Sequence, residues 1–120
     1  MTASAAGIAV ETGTIYDAET LVDLERLFGR RRLLALLAGL RSEIEARLSD
    51  AAGDRERIGQ DAHALVSTSG ALGFMPLSQA CVALERACLA GGDVSAPLAL
   101  AREAGADAGR ALDALCGARL

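Results

Sequence analysis

The sequence contains no lysine and no tryptophan, one histidine, two prolines and only three aromatic side chains. Each shortage excludes something. With Tyr16, Phe28 and Phe74 as the only aromatics, a core must be assembled mainly from Leu and Ala. Both have high helix propensity, whereas strands draw on β-branched and aromatic residues, so an all-α fold is expected. Every one of the twelve basic residues is Arg, which leaves no flexible ammonium anywhere in the chain. Sixteen acids outnumber them, and a net charge of −4 argues against nucleic acid as a partner. Cys81, Cys88 and Cys116 are odd in number and lack CxxC spacing, so no disulfide framework is expected. Cys81 and Cys88 lie seven apart, on one helical face, and are expected to be buried, reduced thiols. The N-terminus has no basic segment followed by an apolar one, and the longest apolar run, 33-LLALLAGL-40, is too short to span a bilayer. These features predict a soluble cytoplasmic monomer without a membrane partner.

What is present is a succession of helical stripes within a length suited to one domain. Residues 1–15 have weak periodicity and read as a flexible arm, with Ile8, Val10 and Ile15 available to pack; residues 16–120 form the domain. Asp17 is the expected N-cap of a short helix ending near Phe28, with Leu21, Leu24 and Leu27 or Phe28 on one side. A second helix, from about Arg30 to Ser49, places Leu33, Leu36, Leu37, Leu40, Ile44 and Leu48 at three- and four-residue steps. The segment 50-DAAGD-54 is a turn. A third helix, from about Arg55 to Leu72, carries Ile58, Ala62, Leu65, Ser69 and Leu72, and Gly73 ends it. Pro76 suits the first turn of a fourth helix, bearing Leu77, Cys81, Leu84 and Cys88 to about Ala90. After 91-GGDVS-95, with Asp93 or Ser95 to cap, a fifth helix from about Ala96 to Leu115 holds Leu98, Leu100, Ala104, Ala108, Leu112 and Leu115. Gly105 and Gly109 lower its propensity but permit close helix approach. Short loops between long helices predict an antiparallel up-down-up-down four-helix bundle with the short N-terminal helix as an addition.

The only histidine falls in 61-DAHALVSTSGALGFMPLSQA-80, where small residues crowd around it. At 100° per residue, His63 points roughly 140° away from the centre of the third helix's apolar stripe. Its outward neighbours are Gly59, Gln60, Ser67 and Gly70. The phase argues against a core histidine. No second histidine exists and no cysteine shares its helix, so a metal site is not expected. Ser67 is one turn away, but no orienting acid and no oxyanion loop accompany it to make a nucleophilic triad. A phosphoryl-accepting imidazole needs less: exposure, an open approach and a neighbour that fixes its tautomer.

His63, Leu65 and Gly73, followed by Leu77, Cys81 and the pair Leu84–Glu85, resemble the HxLKGxxxxxxG motif and succeeding helix of histidine phosphotransfer (HPt) domains of bacterial phosphorelays. The likeness extends to helix number and order over about residues 17 to 118. It implies that His63 accepts a phosphoryl group from, and returns it to, the aspartate of a response-regulator receiver domain. A receiver or a hybrid histidine kinase is then the partner, docking over the third and fourth helices. The resemblance also implies that Mg²⁺ is the receiver's contribution and that this chain carries no cofactor. Candidate docking residues are Gly59, Val66, Ser67, Gly70 and Phe74.

Two positions depart from the family pattern: Val66 stands where the Lys is usual, and Ser67 where the Gly is usual. Ser67 remains small and offers a hydroxyl to phosphate or imidazole, but Val66 supplies no cation. Arg57 and Arg86 are either remote substitutes or solvated surface charges. Glu85, by the same resemblance, either hydrogen-bonds the imidazole Nδ1 or is an exposed helix-face charge. Gln60 is a second polar neighbour. No nucleotide-binding loop of the GxxxxGK[ST] type is present, so autophosphorylation is not expected. The alternative reading is a degenerate HPt-like adaptor that binds a receiver or kinase through the same face without accepting phosphate. The run 30-RRR-32 receives no role.

Overall fold

Asp17 starts the first helix as its spacing predicts. In the computed structural model, which describes residues 15–49 and 54–117, its carboxylate accepts from the Glu19 N–H at 3.1 Å and from the Thr20 hydroxyl at 3.0 Å. That cap opens α1, Ala18–Phe28. Gly29, at φ +87°, ends α1 and leads directly into α2, Arg30–Arg47. Asp54 caps α3, Arg55–Ala71, by accepting from the Arg57 N–H at 2.8 Å. Pro76 occupies the first turn of α4, Met75–Ala90, where the missing N–H costs nothing. Asp93 accepts from the Ser95 N–H at 3.0 Å at the start of α5, Ser95–Gly117, and these hydrogen bonds hold its carboxyl below the usual carboxylate range. All regular structure among the described residues is helical. The expected arm up to residue 14, with Ile8 and Val10, and most of the 50–54 turn lie outside the described residues. Ile15 does pack against the core.

Helices α2 to α5 close a ring of contacts: α2 with α3, α3 with α4, α4 with α5, and α5 back to α2, while α1 packs on α2. The α3–α4 interface is the most extensive. Leu37 and Leu40 of α2, Leu65 of α3, Leu77, Cys81 and Leu84 of α4, and Leu112 of α5 are almost wholly withdrawn from water. Each such leucine contributes about 1.5–3 kcal/mol relative to exposure, before chain entropy is set against it. Burial also pushes the Cys81 thiol up to about 11, so it stays protonated and unreactive at neutral pH. Cys88 is buried too, as the helical spacing predicted. Between α2 and α5 the expected close approach occurs at Gly105, where an added Cβ would stand 2.8 Å from Leu48 Cδ1.

Three apolar expectations are corrected. Leu27 and Phe28 are exposed at the end of α1, because the helix stops at Gly29 before its last turn reaches α2. Leu100 is exposed on α5, since the stripe that faces inward runs Ala101, Gly105, Ala108 and Leu112, one residue out of phase with it. Phe74 is 0 % exposed and is a core residue rather than a docking residue. Its ring stacks on Tyr16 with centroids 5.4 Å apart.

Phe74 turns inward because of the residue before it. Gly73 has φ +86°, and the Phe74 N–H then bonds to the Ser69 carbonyl at 2.8 Å while the Gly73 carbonyl accepts from the Asp17 N–H at 2.9 Å. An added Cβ at Gly73 would meet Thr20 Cβ at 3.0 Å. Gly73→Ala is therefore expected to cost about 1–3 kcal/mol, from left-handed backbone strain plus crowding of α1. Urea unfolding should show a lower midpoint with an unchanged slope.

Candidate functional site

The α3–α4 seam positions the histidine. Along it, contacts ascend α3 as they descend α4: Gly59 lies against Cys88, His63 against Glu85, and the Val66 carbonyl accepts from the Ser78 hydroxyl at 2.9 Å. A Cβ at Gly59 would stand 3.3 Å from Cys88 Cβ, and one at Gly70 would stand 3.3 Å from Ser78 Oγ. These small residues are thus half-buried where two helices meet, and only part of their backbone faces outward. Ser69 is fully buried, with its hydroxyl donating to the Leu65 carbonyl, and Thr68 donates to the Ala64 carbonyl at 3.2 Å. Much of the small-residue crowding around His63 therefore serves helix packing.

His63 itself stands clear of the seam, its side chain 76 % exposed, as the helical phase predicted. Its Nδ1 lies 2.8 Å from Glu85 Oε2, and the Glu85 side chain is only 27 % exposed. An ionised carboxylate can only accept, so the neutral tautomer that suits this contact carries its proton on Nδ1 and its lone pair on Nε2. Of the two sequence readings of Glu85, the structure therefore favours the imidazole partner over the free surface charge. The distance falls within the range of charge-assisted bonds.

The other singled-out residues are less closely joined. Gln60 is exposed and lines the same groove as His63, yet neither it nor Ser67 hydrogen-bonds the ring among the described residues. Ser67 is exposed one turn beyond the histidine. Val66 is half-buried and packs on the core, so the position where the family's Lys is usual turns partly inward here. Arg57 is drawn to Asp61 at 3.6 Å, and Asp61 also accepts from Arg47 at 2.8 Å. Arg86 is exposed.

Four groove residues escaped sequence reasoning: Arg55, Glu56, Cys88 and Leu89. Leu89 is 80 % exposed. Its spacing of four from Glu85 was the available signal, because residues one turn apart share a helix face. Among the described residues no group of three or more His, Cys, Asp or Glu is placed to hold a metal ion. Nor is any described helix long and apolar enough to cross a membrane.

No curated protein and no solved structure matches the chain significantly. A family model does match, that of the Hpt domain, over residues 19–118. Hpt domains are helical bundles that work in phosphorelays, where they interact with response regulators and kinases. With that match spanning all five helices and the exposed, carboxylate-paired histidine, the chain belongs to the Hpt-domain family.

Proposed function

We propose that this chain is a phosphoryl carrier that accepts and donates the group on His63 Nε2. The observation that carries the reading is the 2.8 Å bond from Nδ1 to Glu85 beneath an otherwise exposed ring. We read the bundle as antiparallel and up-down-up-down, with α1 as an added cap, so that α3 and α4 present one continuous face. A receiver domain docks on that face, with Gln60, His63, Ser67 and Leu89 its exposed side chains.

In the transfer, the Nε2 lone pair attacks phosphorus of the receiver's aspartyl phosphate in line. The N–P bond forms as the acyl P–O bond breaks, and the aspartate leaves as a carboxylate. Because Nδ1 keeps its proton, the ring gains positive charge as the N–P bond forms. The Glu85 carboxylate offsets that charge from a fixed position, which costs no reorganisation during the step. In the reverse direction the aspartate carboxylate attacks phosphorus and Nε2 recovers its lone pair. Mg²⁺ and a lysine ammonium are the receiver's own contributions to the charge on phosphorus, which makes Val66 tolerable. Positioning and electrostatics dominate such chemistry.

The second reading is an adaptor that binds a receiver or kinase without accepting phosphate. It is favoured by Val66 packing on the core and by Arg57 pairing with Asp61, so that neither the family's Lys position nor Arg57 offers a free cation to phosphate. Incubation with phosphorylated receivers of the host separates the two. Carrier function requires acid-labile, base-stable label on the chain; absence of label from every receiver and relay kinase leaves only the adaptor. Within the carrier reading, Glu85→Gln is expected to slow transfer about fivefold, because a neutral acceptor is roughly 1 kcal/mol weaker than a charged one. Quench-flow transfer from a labelled receiver measures this, and a rate equal to wild type removes Glu85 from the mechanism.

A further inference from the structure

The histidine and its carboxylate sit on different helices, so their alignment depends on what holds α3 and α4 in register. At one end of the pair, the Ser78–Val66 bond ties the helices. At the other, Arg55 reaches from the first turn of α3 to the end of α4, where its Nη1 donates to the Gly92 carbonyl at 2.7 Å and the Ala87 carbonyl at 3.3 Å. Gly91, at φ +79°, turns the chain there, and its N–H and that of Gly92 also go to the Ala87 carbonyl. A guanidinium at a helix C-terminus adds a charged donor to the carbonyls exposed there and complements the dipole. Ala87 is two residues beyond Glu85. Arg55 is eight residues, or about 12 Å of helix rise, before His63.

Between these ties the only side-chain hydrogen bond across the seam, among the described residues, is that of His63 with Glu85 itself. Gly59 has no side chain to interlock with Cys88, and neither Gly59 nor Cys88 makes a side-chain hydrogen bond across it among the described residues. A shift of the α4 end along α3 by fractions of an ångström would be enough to misalign the 2.8 Å bond between Glu85 and His63. We infer that Arg55 is a positioning residue for the phosphoacceptor: by clamping the α4 C-terminus it holds Glu85 on His63 Nδ1 and so keeps Nε2 the nucleophile. This rests on the carrier reading for its consequence, but not for its geometry.

The test uses the full chain labelled with ¹⁵N-histidine. Because the chain has one histidine, its two-bond ¹H–¹⁵N pattern reports that ring's tautomer without ambiguity, at a pH where the ring is neutral. Wild type should show the Nδ1–H form. Arg55→Ala should raise the Nε2–H share and slow labelling by phosphoramidate, a small phosphodonor that needs no docking surface, about three- to tenfold. Arg55→Lys, which keeps a donor in reach of both carbonyls, should restore most of each. Arg55 is exposed, so neither variant removes core packing. If Arg55→Ala lowers the melting temperature while tautomer and labelling rate stay at wild type, Arg55 is a brace only and the inference is overturned. If the tautomer shifts while neither phosphoramidate nor any receiver labels wild type, the positioning role stands and the carrier reading fails.

Discussion

His63→Gln is expected to reduce acid-labile, base-stable phosphate on this chain to background, a loss of about 100-fold or more. The amide nitrogen of Gln is delocalised into its carbonyl and offers no nucleophilic lone pair. The volume and polarity of the side chain are roughly kept. Since the His63 side chain is 76 % exposed, the substitution should change stability by no more than about 0.5 kcal/mol. No second histidine can take over the label. Filter binding after transfer from a phosphorylated receiver reads the result, with alkaline and acidic washes separating phosphohistidine from acyl phosphate and phosphoserine. Label on His63→Gln equal to wild type would remove His63 as the site. A melting curve alongside excludes unfolding as the cause of a loss.

Phe74→Ala should have the largest effect on stability. Its ring is fully buried and stacked on Tyr16, and removal of such a side chain costs about 3–5 kcal/mol through lost burial and the cavity left behind. For a domain of this size the melting temperature should fall by roughly 12–25 °C. Phe74→Leu, which keeps most of the volume, should lose only about 1–1.5 kcal/mol. Circular dichroism at 222 nm follows both. The contrast with a docking role is sharp. A docking residue would weaken transfer while leaving the melt alone, whereas a core residue should leave transfer by the still-folded fraction nearly unchanged. An unaltered melt for Phe74→Ala would contradict the packing described above.

These two residues also mark how far the sequence reaches. His63 was legible because its direction depends only on the helical repeat within α3, and the apolar stripe from Ile58 to Leu72 sets that phase without reference to any neighbour. The cap at Asp17, the first-turn place of Pro76 and the burial of Cys81 and Cys88 follow from equally local rules. Phe74 was not legible, since it lies between helices, where no period assigns a face. Its inward turn follows from the positive φ of Gly73 and from the docking of α1 on the α3–α4 turn through Asp17. Gly59 and Gly70 were misplaced in part for a related reason. Their phase puts them beside His63, but only the position of α4 decides whether that flank meets water or another helix.

The sequence by itself determined the all-helical class, the stripes that build the core and the outward direction of its one imidazole, because each is a property of a single helix and its repeat. Tertiary structure alone decided that Glu85 meets Nδ1, that Val66 packs inward where a cation is usual, and that Arg55 ties the far end of the same seam. Those are relations between helices. They depend on the separation and register of α3 and α4, which are fixed by side chains from both and are encoded in neither one.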